Sequence, residues 1–305
     1  MIGGPAVIQT DLPLKLFARG KVRDTYEIDA DKLLMVATDR ISAFDRVLPN
    51  GIPDRGKVLT QLSVFWFSQT DTFQENHLVS GMVPDLPPAL KDHRRELAGR
   101  FMIVRKAKRI DFECVVRGYM AGSAWKEYQD SHTLAGEEMP PGLRQSEKLA
   151  YPTFSPATKA ESGHDENITF TQLKKELGDE LATKMRDSSL ELYKFASEFS
   201  ARRGLILADT KFEFGLINDE LILIDEALTP DSSRYWESAT YQIGVSPESY
   251  DKQFVRDWLL KSGWDKESDP PELPPDVVAQ TRERYLTAYE RLVGKPLFPR
   301  KARNE

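Results

Sequence analysis

Cysteine is almost missing from this chain: Cys114 is the single one in 305 residues, so no internal disulfide can form and a reducing, cytoplasmic setting is expected. Histidine is nearly as scarce. His77, His93, His132 and His164 are dispersed and show no zinc-ligand spacing, so any metal must be held by carboxylates. Long apolar runs are absent too, since Leu33 to Thr38 and Leu221 to Ile224 fall far short of the roughly 20 residues of a membrane-spanning helix. The first ten residues lack a basic stretch followed by an apolar core, which predicts no secretory signal. Positive charge is not in excess either. The 42 Lys and Arg face 48 Asp and Glu, a net charge of −6 and the wrong sign for coating a phosphate backbone. No nucleic-acid, membrane or obligate protein partner is expected.

What is present fits a soluble globular chain of about two domains. Hydrophobic residues make up 40% and charged ones 30%, and 19 Pro and 18 Gly are scattered without a period, which excludes fibrous and low-complexity classes. Lys21 to Ile28 and Lys32 to Ala37 read as strands of a glycine-led hairpin. A helix is predicted from Leu59 to Phe73, a strand from Phe101 to Lys106 and another from Phe112 to Arg117, followed by a helix from near Gly118 to Tyr128. Thr133 to Asn167, rich in Pro and Gly, shows no sustained period and reads as a long loop, functional or disordered. Two helices follow, divided near Gly178 and closed by Gly204; then come a hairpin of 205–216 and 220–227 and helices near 250–261 and 275–293.

Chemistry concentrates in Ala208 to Phe214. On a strand, Asp209, Lys211 and Glu213 share a face, a costly arrangement if buried without partners, although a solvent-facing edge strand explains it equally. The apolar run Leu221 to Ile224 ends in Asp225-Glu226 and reads as a strand buried on both faces. A three-residue loop, Asn218 to Glu220, is predicted, because it pairs 213 with 225 and gathers Asp209, Glu213 and Asp225 around Lys211, a set able to hold magnesium; a two-residue loop would put Asp225 on the opposite face. Arg234 follows a turn-rich stretch containing Asp231, and Arg117 with Ser123 stands where a helix begins; both suit phosphate, and both have ordinary turn or cap explanations. Arg19 to Asp24 can cover nucleotide phosphates or be a plain basic turn. Gly51 to Val58 nearly matches a P-loop, but Val58 replaces the magnesium-binding hydroxyl and no apolar strand precedes it, so it is rejected. Thr158 to Asn167 packs a cation, His164 and three acids including Asp165 into ten residues of a loop that can equally be solvated surface.

Six motifs in order, ARGKVRD, ATDRISAFD, VVRGYMAGSAWKEY, TKAESGHDEN, LADTKFEFG and DEALTPDSSRYW, resemble the phosphoribosylaminoimidazole-succinocarboxamide synthase (SAICAR synthetase) family, in its single-function fungal form, over nearly the whole chain. The resemblance implies an α+β fold: a smaller antiparallel-sheet domain over residues 1–106, a larger one over 107–305, and ATP between them. It implies an ATP-dependent ligase that joins carboxyaminoimidazole ribonucleotide to L-aspartate, with ATP and Mg2+ required. The runner-up is a small-molecule kinase acting on a hydroxyl; a protein kinase is disfavoured by the lack of HRD and DFG signatures. A catalytically silent nucleotide-binding regulator would need lost acids, yet Asp209, Lys211 and Asp225 are present.

By the same resemblance, Gly20, Lys21 and Arg23 are the loop over the ATP phosphates, and Val104 and Lys106 lie beside adenine. Asp209 and Asp225, with Glu113, are the metal and phosphate carboxylates; Lys211 meets the reacting carboxylate, supported by Glu213. Arg117, Ser123 and Arg234 anchor the nucleotide substrate, with Asp231, Ser42 and Asp45 nearby, while Lys159, His164 and Asp165 are loop contacts to ATP or aspartate. Lys57 takes no role, and Gly136 to Tyr151 matches no functional motif and reads as a surface excursion.

Overall fold

The computed structural model describes residues 4–159 and 166–298. The chain divides into two compact units, the first taking residues up to Trp66, Leu78–Lys106 and everything from Tyr250 on, the second Phe67–His77 and Ala107–Ser249. The chain passes from the first unit to the second at Lys106, and the last helices group with the first unit.

The first unit opens with β1 (Leu16–Arg19), β2 (Arg23–Glu27) and β3 (Lys32–Ala37), followed by the short hairpin β4 (Ser42–Ala43) and β5 (Arg46–Val47), helix α1 (Arg55–Thr70), β6 (Leu78–Ser80), the single turn α2 (Arg94–Leu97) and β7 (Phe101–Arg105). These strands form an antiparallel sheet in the order β1-β2-β3-β7-β6. Its buried face carries Tyr26, Leu34, Val36, Phe101 and Ile103 against Leu86, Leu90 and Leu97. β1 is exposed at all four positions, so it lacks the apolar alternation by which a strand is read from sequence.

The rejected P-loop has a packing explanation. Val58 is buried on α1, and Gly56 presses on the end of β3 so closely that a Cβ there would stand 2.2 Å from the Ala37 carbonyl oxygen. Its N–H donates to Asp39 Oδ1 at 2.9 Å, and Arg100 grips the same buried carboxylate from 3.1 Å. Gly56 serves helix-to-strand contact.

The second unit begins with β8 (Lys108–Tyr119) and α3 (Gly122–Ser131), then β9 (Thr133–Leu134), β10 (Glu137–Glu138), β11 (Lys148–Thr158), α4 (Phe170–Leu177), α5 (Asp179–Ala201), β12 (Leu205–Ile217), β13 (Glu220–Ile224) and β14 (Ser233–Glu237). Its sheet runs β11-β8-β12-β13, with β14 also pairing β12. The expected long loop is therefore a correction: 11 of its residues form β11, which pairs antiparallel with β8 through Thr153 to Thr158. The two prolines of that strand, Pro152 and Pro156, hid it; β11 is an edge strand, where the missing N–H is tolerated. Helix α5 buries Met185, Ser189, Leu192, Tyr193 and Ala196 at helical spacing and packs on β8, β11 and β12. That covers one face of the sheet and leaves Asp209, Lys211 and Glu213 on the other. The chain then returns to the first unit with α6 (Gln253–Lys261) and α7 (Pro275–Val293), which join Ile41, Leu48 and Ile52 in one core. Among the described residues no helix is long and apolar enough to cross a membrane.

Candidate active site

The charged face of β12 is assembled by strand pairing. Asp209, Lys211 and Glu213 meet Arg117, Val115 and Glu113 of β8 respectively, and cross-strand partners share a face. On the other side of β12, β14 sets Arg234 beside Asp209 and β13 sets Ile224 beside Glu213. Two rows result, separated by the roughly 13 Å that four strand residues span.

The first row is Arg117–Asp209–Arg234. Arg234 Nη1 donates to Asp209 Oδ2, and Arg117 Nη1 lies 3.7 Å from the same oxygen. Arg117 also donates from Nη2 to Ser123 Oγ at 3.0 Å. Burial pulls the Arg117 guanidinium below its ordinary value; Asp209 opposes this shift and Arg234 adds to it. Helix α3 starts here with Gly122 at φ +57, so close to Arg234 that a Cβ would stand 2.8 Å from Nη2. No side chain caps α3, and of its first-turn N–H groups that of Ala124 donates to the Ala121 carbonyl at 3.2 Å. Two guanidiniums, a hydroxyl and a helix N-terminus are donors of the kind that suit a phosphate monoester. The helix begins four residues later than expected, because β8 carries through Tyr119.

In the second row Glu113 and Glu213 stand directly opposite each other, an arrangement that repels unless compensated. Lysines compensate both. Lys211 Nζ lies 2.6 Å from Glu113 Oε1, and Lys159 Nζ donates to Glu213 Oε2. Lys211 is 37% exposed while Glu113 is buried, so the ammonium lies at the accessible end of its pair.

The expected hairpin register is corrected. Ile217 pairs with Glu220 and Glu213 with Ile224, so the loop is two residues long, Asn218-Asp219, with φ of 51 and 64. Two-residue loops with both central residues left-handed match the twist of the flanking strands, and Asn and Asp adopt that conformation readily. Asp225 is therefore not the partner of Glu213. β13 stops at Ile224 and Asp225 has φ +67, so strand alternation no longer sets the direction of its side chain; its carbonyl lies 3.2 Å from His77 Nε2.

Of the expected metal set Asp209, Asp225 and Glu113, the first and last stand apart on the sheet. Among the described residues no three His, Cys, Asp or Glu side chains gather to hold a metal ion. Asp209 and Glu113 lie in different rows, and the Asp209 carboxylate is compensated by two guanidiniums. The adjacent carboxylates are Glu113 and Glu213.

In the first unit, Gly20, Lys21 and Arg23 form the turn from β1 to β2, closed by Gly20 N–H donating to the Arg23 carbonyl at 2.8 Å. Lys21 Nζ pairs with the carboxylate of Asp45, which follows Ser42 in the β4–β5 hairpin. Ser42 and Asp45 were expected among the nucleotide-substrate anchors; they belong to the first unit, whereas Arg117, Ser123, Asp231 and Arg234 belong to the second. Val104 is buried in β7 between Leu33 and Leu78, and Lys106 Nζ stands 5.2 Å from the centre of the Phe17 ring. The Asp231 N–H donates to Thr229 Oγ1 at 3.1 Å in a turn that is tied to β12 by Lys211 N–H and the Ser232 carbonyl. His164 and Asp165 lie outside the described residues. Sequence reading overlooked Gly122, whose signal was a glycine opposite an arginine at a helix start, and Arg40, which sits inside the ATDRISAFD motif.

Residues 16–271 match the model of a family described as SAICAR synthetase. The phosphoribosylaminoimidazole-succinocarboxamide synthase of Syntrophobacter fumaroxidans is 51% identical over 300 residues, covering 97% of this chain and 99% of that protein. Its counterpart in Thermodesulfovibrio yellowstonii is 53% identical over 289 residues, covering 94% and 99%. Among solved structures, SAICAR-synthase from Saccharomyces cerevisiae complexed with SAICAR superposes with a TM-score of 0.87 at 43% identity, covering 95% of this chain and 99% of that one. A SAICAR synthetase in complex with ADP superposes at 0.68 with 25% identity, covering 93% and 99%.

Proposed function

The chain belongs to the SAICAR synthetase family and is an ATP-dependent ligase of purine biosynthesis, and from that premise we propose how its residues divide the work. The reaction joins carboxyaminoimidazole ribonucleotide to L-aspartate through an amide. A carboxylate does not react with an amine at neutral pH, so the γ-phosphoryl group of ATP is first transferred to it. The aspartate amine then attacks the acyl carbon, forming the C–N bond and expelling phosphate. Positioning and charge neutralisation, not a protein nucleophile, carry such a step.

The observation that carries the assignment is the row Arg117–Asp209–Arg234 beside the start of α3. Arg117, Arg234, Ser123 and the α3 N–H groups take the phosphate of the ribonucleotide, with Asp209 holding the two guanidiniums in register and Asp231 nearby. Lys211 meets the carboxylate being activated, and Glu213 and Glu113 keep Lys159 and Lys211 in place until substrates arrive. Gly20, Lys21 and Arg23 contact the ATP phosphates, Asp45 serves as the resting partner of Lys21, and Val104 and Lys106 flank adenine. His164 and Asp165 are carried as loop contacts from the resemblance alone.

Magnesium, when bound, neutralises phosphate charge. It commonly takes one or two carboxylates plus substrate phosphates; the opposed pair Glu113 and Glu213 is suited to supply the carboxylates, and Asp209 and Asp225 are carried in that role from the resemblance alone. The ADP and SAICAR complexes of relatives support small-molecule substrates here, and a lone buried thiol supports a cytoplasmic location. The single-function fungal type draws support from the yeast structure, against bacterial sequence relatives.

The test combines phosphate release with one variant. Release must require both aspartate and the ribonucleotide, and Asp225→Asn should lower turnover by about 10²-fold or more with the fold intact by circular dichroism. Near-normal turnover in that variant removes Asp225 from the assignment.

A further inference from the structure

The turn assigned to the ATP phosphates is held from behind by a residue outside it. Arg40 reaches back across the turn and donates from Nη2 to the Gly20 carbonyl at 2.9 Å and from Nε to the Lys21 carbonyl at 3.1 Å. Nη1 donates to the Ile8 carbonyl, and Nη2 also reaches Asp24 Oδ1 at 2.8 Å. Thr38 completes the set, its N–H and its hydroxyl both donating to the Val22 carbonyl, at 3.0 and 2.8 Å.

Three consecutive carbonyls are thus fixed on one side of the turn. In a trans peptide the C=O and the following N–H are rigidly antiparallel, and the described residues contain no cis bond. Tying down the oxygens of Gly20 and Lys21 therefore aims the N–H groups of Lys21 and Val22 the opposite way, while the hold on Val22 fixes where β2 begins. Successive N–H groups pointing outward make a concavity that favours an anion. Asp24, fully buried and bonded by the Thr10 N–H and hydroxyl, fixes the guanidinium that does the tying.

We infer that Arg40 is a positioning residue for ATP: it presets the 20–23 turn so that its N–H groups face the nucleotide phosphates before ATP arrives, with Thr38 as its helper. This rests on reading that turn as the phosphate loop. A lysine cannot substitute, because a single ammonium lacks the planar fork that meets two carbonyls and a carboxylate together.

The experiment measures ADP affinity by calorimetry, KM for ATP and for L-aspartate, and thermal midpoint in Arg40→Lys, Thr38→Val and Lys21→Ala. Arg40→Lys should raise the ADP Kd and the ATP KM about tenfold or more while the aspartate KM stays within about twofold. Thr38→Val, which is isosteric, should raise the ATP KM about threefold by the same split. A folded Arg40→Lys enzyme with an unchanged ATP KM overturns the inference, as does a parallel rise in both KM values with a fallen midpoint, the pattern of a general structural role. If Arg40→Lys does not fold, Thr38→Val decides in the same way. Lys21→Ala separates the two levels: unchanged ADP affinity there refutes the phosphate-loop reading itself, whereas weakened affinity there with normal Arg40→Lys kinetics refutes only the role of Arg40.

Discussion

Substituting Gly122 by Ala perturbs the proposed phosphate site without touching a charge. Gly122 has φ +57, where an L-residue costs about 1–2 kcal/mol, so a small loss of stability is expected wherever the methyl goes. The methyl, however, has nowhere neutral to go. Its Cβ would stand 2.8 Å from Arg234 Nη2, 3.1 Å from Nη1 and 3.3 Å from Cζ. Real Cβ contacts do not come that close, and the guanidinium is the mobile partner, so it must retreat from the start of α3. Retreat weakens its charge-assisted bond to Asp209 and moves one of the two forks away from the incoming phosphate. A hydrogen bond to a charged group is worth about 1.5–3 kcal/mol. Gly122→Ala should therefore raise the KM for the ribonucleotide about 10- to 100-fold, since 1.4 kcal/mol is about a factor of ten. The KM for ATP should stay within about twofold and the thermal midpoint should fall by only a few degrees. Steady-state kinetics with each substrate varied in turn, alongside a melting curve, tests this. A lowered midpoint with an unchanged ribonucleotide KM would refute the reasoning, because the strain would then be present without the displacement of Arg234.

Two further outcomes follow from the titrating groups. Burial raises the Cys114 thiol to about 12, so iodoacetamide at pH 8 should leave the native protein unlabelled and label it fully in denaturant; native labelling would show that the β8–α5 face opens. Burial alone would raise the Asp24 carboxyl, but the bond from Arg40 and those from Thr10 outweigh it and hold the group below its ordinary value. A depressed folded value means this stabilisation is complete above the unfolded value of about 3.9 and is lost as pH falls through the lower, folded value. Asp24→Asn should therefore lower the thermal midpoint at pH 7, and the gap to the parent should shrink below about pH 4. A gap independent of pH would exclude a charged Asp24 as the anchor of Arg40.

Local pattern made much of this protein legible. The helices around Gly178, the last two helices and the shared face of Asp209, Lys211 and Glu213 follow from periodicity that nothing distant has to complete. β1 and β11 were not legible, one because it is exposed throughout and the other because its prolines mimic a loop. Nor was the hairpin register: choosing between loops of two and three residues depends on the twist the whole sheet imposes, not on Asn218 and Asp219 alone.

From the chain by itself came the residue types and their order: acids and a lysine on one strand, arginines where helices and strands begin, a glycine-led basic turn. Which of these groups meet was decided only by folding. Asp209 takes two arginines from separate strands, Glu113 faces Glu213, and Arg40 reaches the turn at Gly20, because pairing across a sheet places residues far apart in sequence within a few ångströms. Such pairing obeys register and burial, which are properties of the assembled sheet and are written in no single segment.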